Sequence, residues 1–298
     1  MSRSDSYLDP KLLSQLANLE LVARCVVEGF FAGLHASPFR GLSTEYSNHR
    51  DYTIGDETRF VDWKVYGRTD RLYIKQFYRE SNTPVYLMLD SSASMGLAAA
   101  GEISKLQYGS YLGAAFSHLA LKQADCVGLI LFDHTIRSYL APATKRSHLF
   151  SLLSLLERNE PEGVTDLRSV MHSASQLMHQ RGVVILISDL IEDDSAVMHA
   201  LARLKHQGHD VLVLHVLDAR ERLLDFNGPV VLEDLESDVR MEVDAPTVAG
   251  AYRTRVQAYL HHIKQAALGL RADYVLCDTS NPLDRVMAAV MNQRRRRL

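Results

Sequence analysis

PVYLMLDSSAS, residues 84–94, sets a short apolar run, Val85 to Leu89, directly against Asp90 and a loop of serines. An apolar run of this length that ends in a polar loop reads as a strand buried on both faces. Such a strand needs helices above and below it, which is the arrangement of a parallel α/β sheet. The same pattern recurs downstream. Val127 to Phe132 reads as the next strand, with Ile136 to Leu140 beside it. Val183 to Ile187 ends in Ser188-Asp189, and strands at Val211 to Leu217 and Tyr274 to Cys277 follow. Helical periodicity fills the intervals at 103–123, 148–158, 167–180, 195–207 and 247–269. Residues 83–298 are therefore expected to form an α/β domain with a doubly wound, mostly parallel sheet and helices on both faces, with a β-hairpin insertion near 230–243.

Residues 1–82 are expected to form an N-terminal helix and a small β-rich region. Asp9-Pro10 supplies a cap and a first-turn proline, and Leu12, Leu13, Leu16, Leu19, Val22, Val26 and Val27 recur at helical spacing to about Gly33. Alternation over Arg71 to Phe77 predicts a strand. In YTIGDETRFVDW, residues 52–63, a purely structural reading buries Tyr52 and Trp63 and pairs Asp56 with Arg59.

Composition narrows the function classes. A net charge of −3 over 298 residues gives no global basic field, so nucleic acid is not an expected partner. Cys25, Cys126 and Cys277 form no CxxC pair and read as small hydrophobes in a reducing compartment. No apolar stretch reaches membrane-spanning length, and MSRSDSYLDPK lacks the apolar core of a signal peptide. The expectation is a soluble, cytoplasmic protein with no membrane span. The Arg294 to Arg297 run reads as a solvated tail, and Glu192, Asp193 and Asp194 as caps of the following helix. The 13 histidines include no HExxH and no Cys/His cluster, which argues against zinc.

Chemistry concentrates where three segments converge. Asp90, Ser92 and Ser94 follow one apolar strand, Thr165 lies in the loop before a helix, and Asp189 ends another apolar strand. In open α/β sheets ligands bind beyond the carboxyl ends of the strands. Two carboxylates and three hydroxyls offer only oxygen, which suits Mg²⁺ or Mn²⁺ better than Zn²⁺. Neutral hydroxyls leave such an ion with residual positive charge, and one of its waters can give way to an incoming carboxylate. The bland reading of DSSAS alone is a polar turn with a helix cap.

The set DxSxS, a later Thr and a later Asp resembles the metal-ion-dependent adhesion site of von Willebrand factor A domains, a Rossmann-type fold. Asp90, Ser92, Ser94, Thr165 and Asp189 fill its positions. Upstream, Tyr52 to Arg59, Val61-Asp62-Trp63 and Gly67-Arg68 resemble the signature of a bacterial family that carries this domain, domain of unknown function family 58. That resemblance implies metal-dependent recognition in which an acidic residue of a partner completes the metal shell. It also implies work beside a MoxR-type AAA+ ATPase and its client protein, in chaperone-like maturation or complex assembly. The N-terminal membrane spans of many relatives are missing from this sequence.

Enzyme readings find less support. A haloacid dehalogenase-type phosphotransferase needs a second Asp where Ser92 stands. Ser92-Ala93-Ser94-Met95-Gly96 lacks the first glycine of a nucleophile elbow. Neither GxGxxG nor GxxxxGKS occurs. The chain is expected not to be an enzyme; the alternative is a metal-dependent hydrolase acting on phosphate esters.

Overall fold

The computed structural model describes residues 9–16, 18–36, 49–53, 61, 63–75, 83–98, 102–224, 226, 228–236 and 239–295. The chain forms two compact units, one of Met1–Ala32 with Thr83–Leu298 and one of Gly33–Asn82. The N-terminal helices thus go with the sheet unit. They are two, where one continuous helix was expected: α1 (Pro10–Leu13) and α2 (Leu19–Ala36). Asp9 caps the first, its carboxylate accepting from the Lys11 amide at 2.8 Å. The Asn18 side chain accepts from the Glu20 amide at 2.7 Å and starts the second. The break resets the helical phase. Leu13, Leu19, Val22, Val26 and Val27 are buried, whereas Leu12 and Leu16 face solvent.

The smaller unit holds β1 (His49–Asp51), α3 (Trp63–Thr69) and β2 (Tyr73–Lys75), with β1 antiparallel to β2. The expected burial of Trp63 is overturned. It is 58% exposed and meets Tyr66 edge-on, at 6.0 Å between ring centroids. Among the described residues, the two-stranded ribbon and the seven-residue helix that carries Trp63 offer too little surface to enclose an indole. Tyr52 is half-buried, and Asp56 and Arg59 lie outside the described residues.

In the larger unit the strands are β3 (Pro84–Asp90), β4 (Cys126–Phe132), β5 (Ile136–Ala143), β6 (Val183–Ser188), β7 (Asp210–Leu217) and, later in the chain, Asp273–Asp278. The helices are α4 (Lys105–Lys122), α5 (Arg146–Glu157), α6 (Leu167–Leu177), α7 (Asp194–His206) and α8 (Ala219–Leu223). A hairpin of β8 (Pro229–Glu233) and β9 (Arg240–Asp244) precedes α9 (Ala245–Gly269). The last strand is then β10, and α10 (Leu283–Arg295) closes the chain. The expected fold class is the one found. The sheet order is β10-β7-β6-β3-β4-β5, parallel throughout except for the antiparallel edge strand β5.

Alternate side chains of β3 face opposite layers. Tyr86 and Met88 join Leu167, Val170 and Met171 of α6, Val197 and Leu201 of α7, and Ile263 of α9 in one core. Leu87 and Leu89 meet α4 at Gly113 and Gly109, one helical turn apart. A methyl on Gly113 would sit 2.7 Å from Leu87 and one on Gly109 2.9 Å from Leu89, so α4 closes on β3 only because both lack side chains.

The chain leaves β3 toward β4 and β5, then re-enters on the other side of β3 as β6. The crevice beyond the carboxyl ends of β3 and β6 is the topological switch point. Leu89 pairs with Ile187, so the next residues, Asp90 and Ser188, stand side by side at its floor.

At the C-terminus the expectation of a free arginine tail fails for Arg294. It lies in the last turn of α10 and pairs with Asp210 at 3.1 Å. Arg296 and Arg297 lie outside the described residues. Among the described residues no helix is long and apolar enough to cross a membrane.

Candidate metal centre

The structure brings all five expected residues together. Ser92 and Ser94 hydroxyls are 3.1 Å apart, and Ser94 Oγ donates to Asp189 Oδ2 at 2.7 Å. Thr165 Oγ1 lies 3.4 Å from each oxygen of Asp90. Ser92 also donates its amide to Asp90 Oδ1 at 2.9 Å. Ser91 turns away: its hydroxyl accepts from Asn159 Nδ2 at 2.8 Å.

Backbone bonds from distant segments fix this loop. Ser91 N donates to Phe132 O, Ala93 N to Gly163 O and Glu162 N to Ser91 O. Gly163 has φ of +78°, a region that favours glycine, and a methyl there would come within 3.0 Å of Asp133. Arg137 ties the Thr165 loop down, donating to Asp133 at 2.6 Å and to the carbonyls of Glu160 and Glu162. After Asp189 the chain turns sharply through Leu190, buried at φ of +51°. That conformation costs of order 1–3 kcal/mol for a non-glycine residue. The Leu190 carbonyl is held by the Tyr259 hydroxyl, and its amide donates to Ser188 Oγ at 3.0 Å.

A buried ammonium stands behind the oxygens. Lys105, fully buried, donates to Asp189 Oδ2 at 2.7 Å and to Glu221 Oε1 at 2.6 Å. Burial alone would pull its pKa down, but Asp189 and Glu221 outweigh that and hold it above the ordinary value. Glu221 is itself fixed in the capping box of α8, accepting from the Asp218 amide at 3.1 Å. Asp90 is in the opposite position. Desolvation and then the neighbouring Asp189 push its pKa up to about 7, although Ser188 Oγ donates to it at 2.6 Å.

This donor set fits a hard divalent cation. In an octahedron with metal–oxygen bonds of about 2.0–2.1 Å, neighbouring ligand oxygens stand about 2.9 Å apart. The Ser92–Ser94 and Ser94–Asp189 separations of 3.1 and 2.7 Å lie near that edge length, and Thr165 stands wider, 3.4 Å from Asp90. Lys105 is shared by Asp189 and Glu221, and Asp90 lies against Asp189, so with all three carboxylates ionised the group carries two net negative charges, which a divalent ion balances. Among the described residues no three His, Cys, Asp or Glu side chains gather at metal-holding spacing, so the hydroxyls are indispensable to such a site.

Sequence reasoning did not find Ser188, Lys105 or Glu221. It also misassigned Glu192, expected to cap α7. Glu192 instead accepts from the Leu167 amide at 3.1 Å, at the start of α6. The cap position of α7 belongs to Asp193.

The doubly wound, mostly parallel sheet is the fold expected of a von Willebrand factor A-like domain. The chain belongs to the family described as Protein of unknown function DUF58, whose model matches residues 48–264. An uncharacterised protein of Mycobacterium tuberculosis is 28% identical over 276 residues, covering 89% of this chain and 86% of that protein; one of Mycobacterium bovis matches equally. Among solved structures, the conserved hypothetical protein BatB from Bacteroides thetaiotaomicron aligns at 17% identity and a TM-score of 0.46, covering 72% of this chain and 99% of that one. The SpRpn10 VWA domain aligns at 14% identity and a TM-score of 0.41, covering 69% and 93%.

Proposed function

We propose that this chain is a metal-dependent protein-interaction module in which Asp90, Ser92, Ser94, Thr165 and Asp189 hold Mg²⁺ or Mn²⁺. The observation that carries the reading is the convergence of hydroxyl and carboxylate oxygens from three chain segments, in linked pairs 2.7 to 3.4 Å apart. Bound there, the ion supplies a coordination position for an acidic side chain of a partner. The chain's own residues do the rest. Ser92, Ser94 and Thr165 contribute neutral oxygens and so preserve the ion's attraction for that carboxylate. Lys105 offsets the charge of Asp189 by donating to Oδ2, the oxygen that also accepts from Ser94, with the same effect. Ser188 orients Asp90 through its hydroxyl.

The partner class comes from the family resemblance: a MoxR-type AAA+ ATPase acting with this chain on a client protein, in chaperone-like maturation or complex assembly. The module acts by binding rather than by catalysis.

The test is affinity for the ATPase in magnesium and in chelator, for the wild type and for Ser92→Ala with Ser94→Ala. Chelation and the double substitution should each weaken the complex about tenfold or more. Equal affinity in all conditions would refute the metal-bridged reading.

A further inference from the structure

The turn of the β8–β9 hairpin touches the loop that carries Thr165. Glu236, in the turn between its strands, accepts from the Thr165 amide at 3.2 Å, 71 residues away in sequence. Its backbone is set for this reach, the Glu236 amide donating to Asp234 Oδ1 at 3.0 Å. The other carboxylate oxygen, Oε1, is buried and has no hydrogen-bond partner among the described residues. A buried carboxylate oxygen that no side chain or amide reaches is favoured by a positive charge beside it. Glu236 also shares with Ser94 a groove of about 450 Å³, whose walls include Ile191, Phe226, Val231 and Leu235. One wall of the groove is thus the hairpin, and one end is the candidate metal loop.

The geometry points to Glu236 as a built-in occupant of the place where a partner's carboxylate must arrive, so that the hairpin tip masks the centre in the free protein. This rests on the metal-dependent reading above and adds its regulation. Glu236 has the charge and chemical type of the expected incoming ligand, and it is anchored on the amide of a residue whose hydroxyl belongs to the oxygen set. A partner carboxylate displaces it, and the hairpin then swings from the groove. That movement exposes apolar lining and leaves Val231, Leu235 and Met241, already at the surface, free to meet the partner.

Mn²⁺ and glutarate, a free dicarboxylate, test this directly. Water-proton relaxation of the Mn²⁺-loaded protein reports inner-sphere water, which a bound carboxylate displaces. Glu236→Ala and Glu236→Gln should bind glutarate about tenfold more tightly than the wild type, because no internal carboxylate competes. Both should bind Mn²⁺ itself several-fold more weakly, having lost a nearby negative charge. Glu233→Ala removes the same charge from an exposed part of the same hairpin, where Glu233 pairs with Arg240, and should leave both titrations as in the wild type. If Mn²⁺ binds every variant alike and the glutarate curves coincide, the masking role is overturned while the metal reading stands. If Mn²⁺ binds none of the proteins, the metal reading and the masking role fall together.

Discussion

The oxygen cluster beyond β3 and β6 and the hairpin beside it are built on opposite terms. In the cluster Asp90, Ser92, Lys105 and Asp189 are essentially withdrawn from water, and each polar group is tied to several others. In the hairpin Val231, Val239 and Met241 are each about 60% exposed, and among the described residues the two strands pair with each other alone. The difference separates fold from recognition. Changes in the cluster should disturb both stability and metal binding, whereas changes in the hairpin should alter recognition and leave the fold alone.

The largest effect is expected at Lys105. Lys105→Met strands the carboxylates of Asp189 and Glu221, so urea denaturation of the metal-free protein should show a loss of roughly 3–5 kcal/mol. The same variant has a more negative site, so saturating Mn²⁺ should raise its Tm by more than it raises that of the wild type. A Tm gain no larger than the wild type's would detach Lys105 from the metal centre.

A smaller effect, of opposite sign, is expected at Asp90. Its carboxyl titrates near 7 in the folded protein against about 3.9 in an unfolded chain, so the folded state holds the extra proton between those values. Stability from this group is present below pH 4 and is lost as the pH rises through 7. Metal-free Asp90→Asn should therefore gain on the wild type between pH 4 and 7, by up to a few kcal/mol, and hold a constant advantage above. A difference independent of pH would show that Asp90 is not charged against its surroundings. The smallest effect belongs to the hairpin. Val231→Ser and Met241→Ser should each change unfolding stability by no more than about 0.5 kcal/mol. A loss of several kcal/mol would mean that the hairpin is part of the core.

The sequence carries these two regions unequally. The strands are legible because β3, β6 and β7 are buried on both faces and so read as unbroken apolar runs. Asp90, Ser92, Ser94, Thr165 and Asp189 are legible because they sit at strand ends and loops, where the switch point gathers side chains. Lys105 is not legible. A single lysine at the start of a helix is solvated by default, and only the tertiary placement of Asp189 and Glu221 draws it inward. The Glu236 contact with Thr165 spans two elements with no shared periodicity, so no local signal announces it. The break before α2 depends on Asn18 capping, which a continuous leucine phase conceals. The exposure of Trp63 follows from how little the small ribbon can cover, a matter of surface area and not of residue type.

The central claim is that these oxygens form a metal site, and calorimetric titration of Mn²⁺ into the wild type and into Asp90→Ala tests it most directly. The wild type should bind one equivalent saturably at millimolar metal or below. Asp90→Ala should keep the folded circular dichroism spectrum and show no saturable binding, because it loses an anionic ligand whose burial costs the apo protein stability. Absence of binding in the wild type, or an unchanged isotherm in Asp90→Ala, would contradict the account.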